Sequence, residues 1–170
     1  TGLRIGLAAA KMMSYALRIP MVGVPTLEAL AYHCMWEGVR LVPMMDAQKG
    51  SVYTEEFAWT WESGKPVLHS VCPLRILPRD ALVASLAGTE KTVLLMGDAM
   101  QKAADEPLPA GVRLAPIHMR MPRAACVGLA GLARLARDAA DDAMTLEPLY
   151  LRRSEAEVLW EKRHGAEQAV

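Results

Sequence analysis

The sequence predicts an α/β protein built on a mixed sheet flanked by helices. Residues 40–77 hold three apolar-rich runs separated by two turn signals, Asp46-Ala47-Gln48-Lys49-Gly50 and Ser63-Gly64-Lys65-Pro66, which read as an antiparallel meander. Beyond the meander, helix-like and strand-like stretches alternate to about residue 140, the order of an α/β lobe. Of the 170 residues, 52% are apolar and 22% charged, so the chain can bury a core and is not disordered.

The first helix spans about residues 2–17. Its charges, Arg4 and Lys11, continued by Arg18, recur every seven residues and fall on one narrow stripe; the rest is apolar or small. A helix apolar nearly all round is buried on more than one side. It is either the central helix of its own domain or a helix with one side against a partner chain. Gly2 and Gly6, with Ala10 a turn later, leave a bare strip along which another backbone can approach closely.

Arg18-Ile19-Pro20 ends this helix, because the residue before proline is pushed out of the helical region. Met21-Val22-Gly23-Val24 reads as a short buried strand. A second helix starts at Pro25-Thr26-Leu27-Glu28, with Leu27, Leu30, Ala31 and Cys34 on one face. The strands of the meander are expected at 40–45, 51–61 and 67–77. A helix at about 79–87 and a strand at 92–96 follow, and Gly97-Asp98-Ala99 opens a short helix. A weak strand at 112–116 leads to a long helix from Pro122 to about Ala140, proline being tolerated in a first turn. Ser154 and Glu157 form a capping box ahead of Val158, Leu159 and Trp160 and predict a last helix.

Charge bounds the function. With 19 basic and 19 acidic residues the net charge is zero, which argues against the basic excess of a strong nucleic-acid footprint. Cys34, Cys72 and Cys126 are odd in number and scattered, and read as reduced, mostly buried thiols of a cytoplasmic protein. No apolar run is long enough to span a bilayer, so a membrane role is not expected.

The chemistry-bearing residues do not assemble into a complete active site. His33, His69, His118 and His164 lie on different elements without ligand spacing, so no metal is expected in this chain. No nucleophile elbow is present, and Cys34 reads as core. Two loops are candidates to face a nucleotide. Gly97-Asp98-Ala99 leaves a strand and starts a helix, the geometry in which backbone N–H groups meet an anion, although it has one glycine and an acid. The hairpin Asp46-Ala47-Gln48-Lys49-Gly50 is the other. The candidate nucleotide-facing residues are therefore Asp46, Lys49, Gly97 and Asp98, with plain turns as the competing reading. Tyr150 beside Arg152 and Arg153 suggests RNA stacking and phosphate contact, against a solvated pair leading into the last helix.

Four segments, in order, resemble one family. Thr1-Gly2-Leu3-Arg4-Ile5-Gly6 looks like the second half of its Gly-Pro-Gly-Ser-Phe-Thr-Gly-Leu-Arg-Ile-Gly signature. Residues 20–30, Pro-Met-Val-Gly-Val-Pro-Thr-Leu-Glu-Ala-Leu, resemble its second segment, with Pro25 where the family usually has Ser. Residues 44–53, Met-Met-Asp-Ala-Gln-Lys-Gly-Ser-Val-Tyr, resemble its third, with Gln48 for Arg and Ser51 for Glu. Residues 147–157, Glu-Pro-Leu-Tyr-Leu-Arg-Arg-Ser-Glu-Ala-Glu, resemble its closing segment. The family is TsaB, also called YeaZ, a bacterial paralogue of the glycoprotease-like TsaD proteins.

The resemblance implies an actin-like, RNase H-like fold of the ASKHA type, truncated at its N-terminus. The chain would keep the last helix of the first lobe, within residues 1–24, then a C-terminal lobe over 25–153 and a C-terminal helix and tail over 154–170. It further implies a non-catalytic partner subunit that binds TsaD, and the ATPase TsaE, in the threonylcarbamoyl modification of tRNA adenosine. ATP and metal would sit on those partners, with no cofactor in this chain and tRNA contacted only indirectly. The first helix would build the interface, through Gly2, Leu3, Gly6, Leu7, Ala10, Lys11 and Ser14, for TsaD and for a homodimer. The alternative from another class is an ASKHA-type ATP-dependent enzyme, or a glycoprotease-type peptidase, with its active site in upstream sequence.

Overall fold

The structure is a computed structural model that describes residues 2–102 and 107–151. The capped helix expected from Ser154 and the Arg152–Arg153 pair lie outside the described residues. The described residues fall into two compact units, one of residues 2–21 and 140–151, the other of residues 22–102 and 107–139.

The larger unit holds a five-stranded sheet. Its strands are β1 (Val39–Asp46), β2 (Ser51–Glu62), β3 (Lys65–Pro78), β4 (Thr92–Met96) and β5 (Val112–Leu114), in spatial order β3-β2-β1-β4-β5. β1, β2 and β3 form the expected antiparallel meander, and β4 and β5 add to β1 in parallel, which makes the sheet mixed. The β2–β3 turn uses Ser63 and Gly64 at φ of 51° and 77°, positive values that match the right-handed twist of the flanking strands.

Residues paired across an antiparallel ladder share a face. Leu41 pairs with Phe57 on one face, and Met44 with Thr54 on the other. All four are buried, so β1 and β2 are covered on both faces. That is why β2 shows only loose alternation in sequence: Val52, Thr54 and Glu56 are buried on one face, Phe57 and Trp59 on the other.

Helix α2 (Thr26–Ala31) covers the Phe57–Trp59 face. Trp59 donates its indole N–H to the carbonyl of Ala31 at 3.3 Å, and its ring meets Tyr32 edge-on at 4.9 Å. This helix stops sooner than the sequence suggests, because Cys34 N–H turns back onto the Ala31 carbonyl in a tighter i→i+3 bond. Cys34 is buried just beyond the helix end, and burial pushes its thiol pKa up. After α3 (Arg79–Ser85) comes α4 (Ala124–Leu135), whose Arg134 pairs with Glu28 of α2.

Three expectations need correction. Met21–Val24 is no sheet strand: Met21 makes an isolated bridge to Asp141, while Val22 and Val24 lie beside Gly131 of α4. The long helix is shorter than Pro122–Ala140. Asp138 adopts φ of 55°, and Ala139 N–H reaches the Arg134 carbonyl, a left-handed cap that sequence hides because it usually carries glycine. Pro122 precedes the helix, whose N-cap is Arg123. Finally, α1 (Gly2–Leu17) is not buried on several sides; Ser14 alone among its residues is buried. Hydrophobicity around a helix says that it wants cover, not which chain supplies it.

One charged group sits inside the sheet. Glu56, with 6% of its side chain exposed, lies between Arg75 of β3 at 2.6 Å and Arg40 of β1 at 3.4 Å. Removing its charge leaves two cations facing each other at the centre of three strands. Because both arginines are about a third exposed, solvent softens the cost, and Glu56→Gln is expected to destabilise by about 2 kcal/mol. Urea unfolding followed by tryptophan fluorescence measures this; a midpoint unchanged from the parent would show that the arginines are held without Glu56.

Candidate functional site

Two places carry the residues singled out from the sequence, the helix α1 and the loops at the C-terminal ends of β1 and β4. On α1 successive side chains rotate by about 100°. Gly2, Gly6, Ala10, Met13 and Leu17 therefore share one stripe, and Arg4, Leu7, Lys11 and Ser14 another. The structure separates the expected interface set along this division. Gly2, Leu3, Gly6 and Ala10 are exposed, Leu7 and Lys11 are half-buried, and Ser14 is buried.

The exposed side is strongly apolar. Leu3, Ile5, Met12, Met13, Tyr15 and Leu17 each expose at least 60% of their surface. A Cβ added at Gly2 or Gly6 would meet nothing within 4 Å, so the strip is open. An open apolar helix face of this extent is characteristic of a surface awaiting a partner. Close approach along the glycines would increase dispersion contact per turn of helix.

The covered side is tied down within the unit. Ser14 Oγ donates to the Ile19 carbonyl at 2.7 Å, and Ile19 N–H returns to the Ser14 carbonyl at 3.2 Å. Arg18 between them takes φ of 52°. Together these close the helix at Leu17, next to the proline boundary. Ser14 thus ends the helix, while Lys11 donates to the carbonyls of Met144 and Leu146.

The second place brings Asp46, Gly97 and Asp98 together although they are far apart in sequence. β1 and β4 are parallel neighbours, so their C-terminal ends lie side by side, the edge where open α/β sheets bind ligands. Asp98 accepts the backbone N–H of Asp46 at 3.0 Å, and Asp46 in turn accepts the N–H of Gln48 at 2.8 Å. Gly97, at φ of 108°, lies so near β1 that an added Cβ would sit 2.1 Å from the Met44 carbonyl oxygen. Lys49 stands exposed at the hairpin tip, with φ of 52°. Both carboxylates are thus engaged in bracing the two loops, the role of a built turn.

Sequence reasoning missed a cluster on the β2–β3 hairpin. His69 Nε2 lies 2.9 Å from Thr60 Oγ1 and 3.0 Å from Glu62 Oε1. Its residues alternate across two strands, and only their register, Ala58 opposite His69, unites them. Both partners meet the same ring nitrogen, whereas a proton relay needs them on opposite nitrogens, so the cluster fastens the hairpin. Among the described residues no group of three or more His, Cys, Asp or Glu side chains converges to hold a metal. Nor is any described helix long and apolar enough to cross a membrane.

Comparison with known proteins adds three findings. The family described as TsaD, tRNA N6-adenosine threonylcarbamoyltransferase, matches residues 1–68. The tRNA threonylcarbamoyladenosine biosynthesis protein TsaB of Bacillus subtilis (strain 168) is 28% identical over 163 residues, covering 94% of this chain and 68% of that protein. Two solved structures from Pseudomonas aeruginosa share the fold. One is YeaZ, with a TM-score of 0.71, and the other is described as an uncharacterized protein with similarity to peptidase YEAZ, with a TM-score of 0.70. Each is 21% identical to this chain, covering 89% of it and 68% of the compared chain. This likeness shows that the chain shares the α/β fold of those structures, its mixed sheet flanked by helices as the sequence predicts.

Proposed function

From the premise that the chain belongs to the TsaB (YeaZ) family of tRNA threonylcarbamoyladenosine biosynthesis, we propose that it serves as a non-catalytic partner subunit that binds TsaD through α1. The observation that carries this reading is the open apolar side of α1, with the bare strip at Gly2, Gly6 and Ala10. A helix carrying six large exposed apolar side chains has a strong drive to be covered, by TsaD or by a second copy of the chain. The homodimer competes with the heterodimer for the same stripe. In the complex the ATPase TsaE, the ATP and the metal belong to the other subunits, and tRNA is contacted indirectly, in the cytoplasm and away from membranes.

The non-catalytic part of the reading draws support from the loops at the strand ends. Asp46 and Asp98 each spend one carboxylate oxygen on a backbone N–H group. An acid so held braces a loop and is poorly placed to move a proton.

The test reconstitutes the modification from purified components. With TsaD, TsaE, ATP, the threonylcarbamoyl donor system and tRNA, omission of this chain is expected to abolish product, and its return to restore it. Incubated alone with ATP or with peptides, the chain is expected to turn over neither. Hydrolysis of either substrate by the chain alone would overturn the partner-subunit reading in favour of an ATP-dependent enzyme or a peptidase.

A further inference from the structure

Residues 141–151 run antiparallel along α1, tied to it at two levels and to Met21 beyond its end. Asp141 N–H donates to the Met21 carbonyl at 2.8 Å, just beyond the helix end. In the middle, the Lys11 ammonium donates to the carbonyls of Leu146 at 2.8 Å and Met144 at 3.2 Å. Toward the helix start, Arg4 Nε donates to the Tyr150 hydroxyl at 3.0 Å, its guanidinium lying over the Tyr150 ring at 5.4 Å. Lys11 and Arg4 are the two charged side chains of α1, and both reach this one segment.

The segment itself buries almost nothing. No residue from Asp141 to Leu151 is buried, and Met144, Leu149 and Tyr150 expose 74%, 68% and 57% of their surface. It keeps its own shape through an Asx turn, in which Asp142 accepts the N–H of Met144 at 2.7 Å while its carbonyl accepts those of Thr145 and Leu146. A segment with internal form, little buried apolar surface and a few polar ties is the kind that opens without the rest of the protein unfolding.

We propose that residues 141–151 are a releasable strap on α1, latched by Lys11 at its centre and by Arg4 at its end. Latched, the strap engages both cations, Lys11 half-buried beneath it and Arg4 still exposed at its end. Released, it frees the side chains of Arg4 and Lys11, which lie two turns apart on one basic stripe. The strap thus sets whether the two cations are engaged within the chain or free to meet another group, and no partner is needed for it to act. Lys11 is in this view a positioning residue for the strap, where the sequence suggested a direct interface contact.

Native-state hydrogen exchange on the full chain tests this at the Asp141 amide. In the parent protein Asp141 is expected to exchange by local opening, well before the amides of β1 and β2. Lys11→Met, which removes two charge-assisted bonds, is expected to speed Asp141 exchange by about 10- to 100-fold with the sheet amides unchanged. Lys11→Arg, which can still donate to the carbonyls, is expected to recover most of the protection. Asp141 exchange unchanged in Lys11→Met, or exchange in the parent only together with the sheet, would overturn the proposal. Should Lys11→Met lose helical circular dichroism, Arg4→Met decides by chymotryptic cleavage after Leu149. Faster cleavage than in the parent supports the strap, and an equal rate overturns it.

Discussion

Gly6→Leu is expected to strengthen the free chain and to destroy the binding to TsaD proposed for it. The two effects have opposite signs because they arise in different places. In the free chain nothing stands within 4 Å of a Cβ at Gly6, and the helix side there is exposed, so a side chain starts into open space. It replaces the residue that loses most backbone freedom on entering a helix, a gain of about 0.7 kcal/mol. In the complex the same side chain stands where a second helix should approach the bare strip, and the helices must part by roughly the width of a leucine. Losing packing at the centre of an interface costs about 100-fold or more in affinity.

Chemical unfolding and titration calorimetry with purified TsaD read the two quantities separately. Unchanged affinity in a chain that is no less stable would place the contact elsewhere than on the glycine strip. Sedimentation of the variant should show the same loss for self-association, since the homodimer is proposed to use the same stripe.

The largest effect on stability is expected from Gly97→Ala. One methyl group is added, yet it would lie 2.1 Å from the carbonyl oxygen of Met44 and 2.9 Å from its carbonyl carbon. Those are backbone atoms of β1, which cannot turn aside as a side chain tip would. Met44 is fully buried and paired with Thr54, and its neighbour Pro43 is paired with Met96. The φ of 108° at Gly97 adds strain for any residue with a Cβ. Together these place the loss at about 4 kcal/mol, a large part of the stability of a typical domain. Urea unfolding monitored at Trp59 tests it, and a loss below 1 kcal/mol would show that β1 and β4 can separate at this point cheaply.

The loop at Gly97 also shows where sequence reading reached its limit. Gly97-Asp98-Ala99 was legible as a strand-to-helix turn, and Asp46-Ala47-Gln48-Lys49-Gly50 as a hairpin. Each reads as a candidate nucleotide loop on its own. That the Asp98 carboxylate would cap the Asp46 amide follows only from the parallel pairing of β1 with β4, and strand order is not written in either loop. The same holds for Glu56. Its place between Thr54 and Phe57 marks it as a strand residue, but the arginines that neutralise it come from the strands on either side.

Elements and their order were set locally. The periodicity of residues 2–17, the turn at Ser63-Gly64, the strand at Thr92–Met96 and the motif strings behind the TsaB resemblance all depend on neighbours a few residues apart, whose sterics and polarity a sequence records directly. The working faces were set at long range. Which side of α1 stays open, and that Lys11 grips Leu146 rather than a partner, depend on contacts across 135 residues of chain. A helix apolar on most sides carries the same pattern whether a strap, its own core or another protein covers it, so only packing distinguishes them.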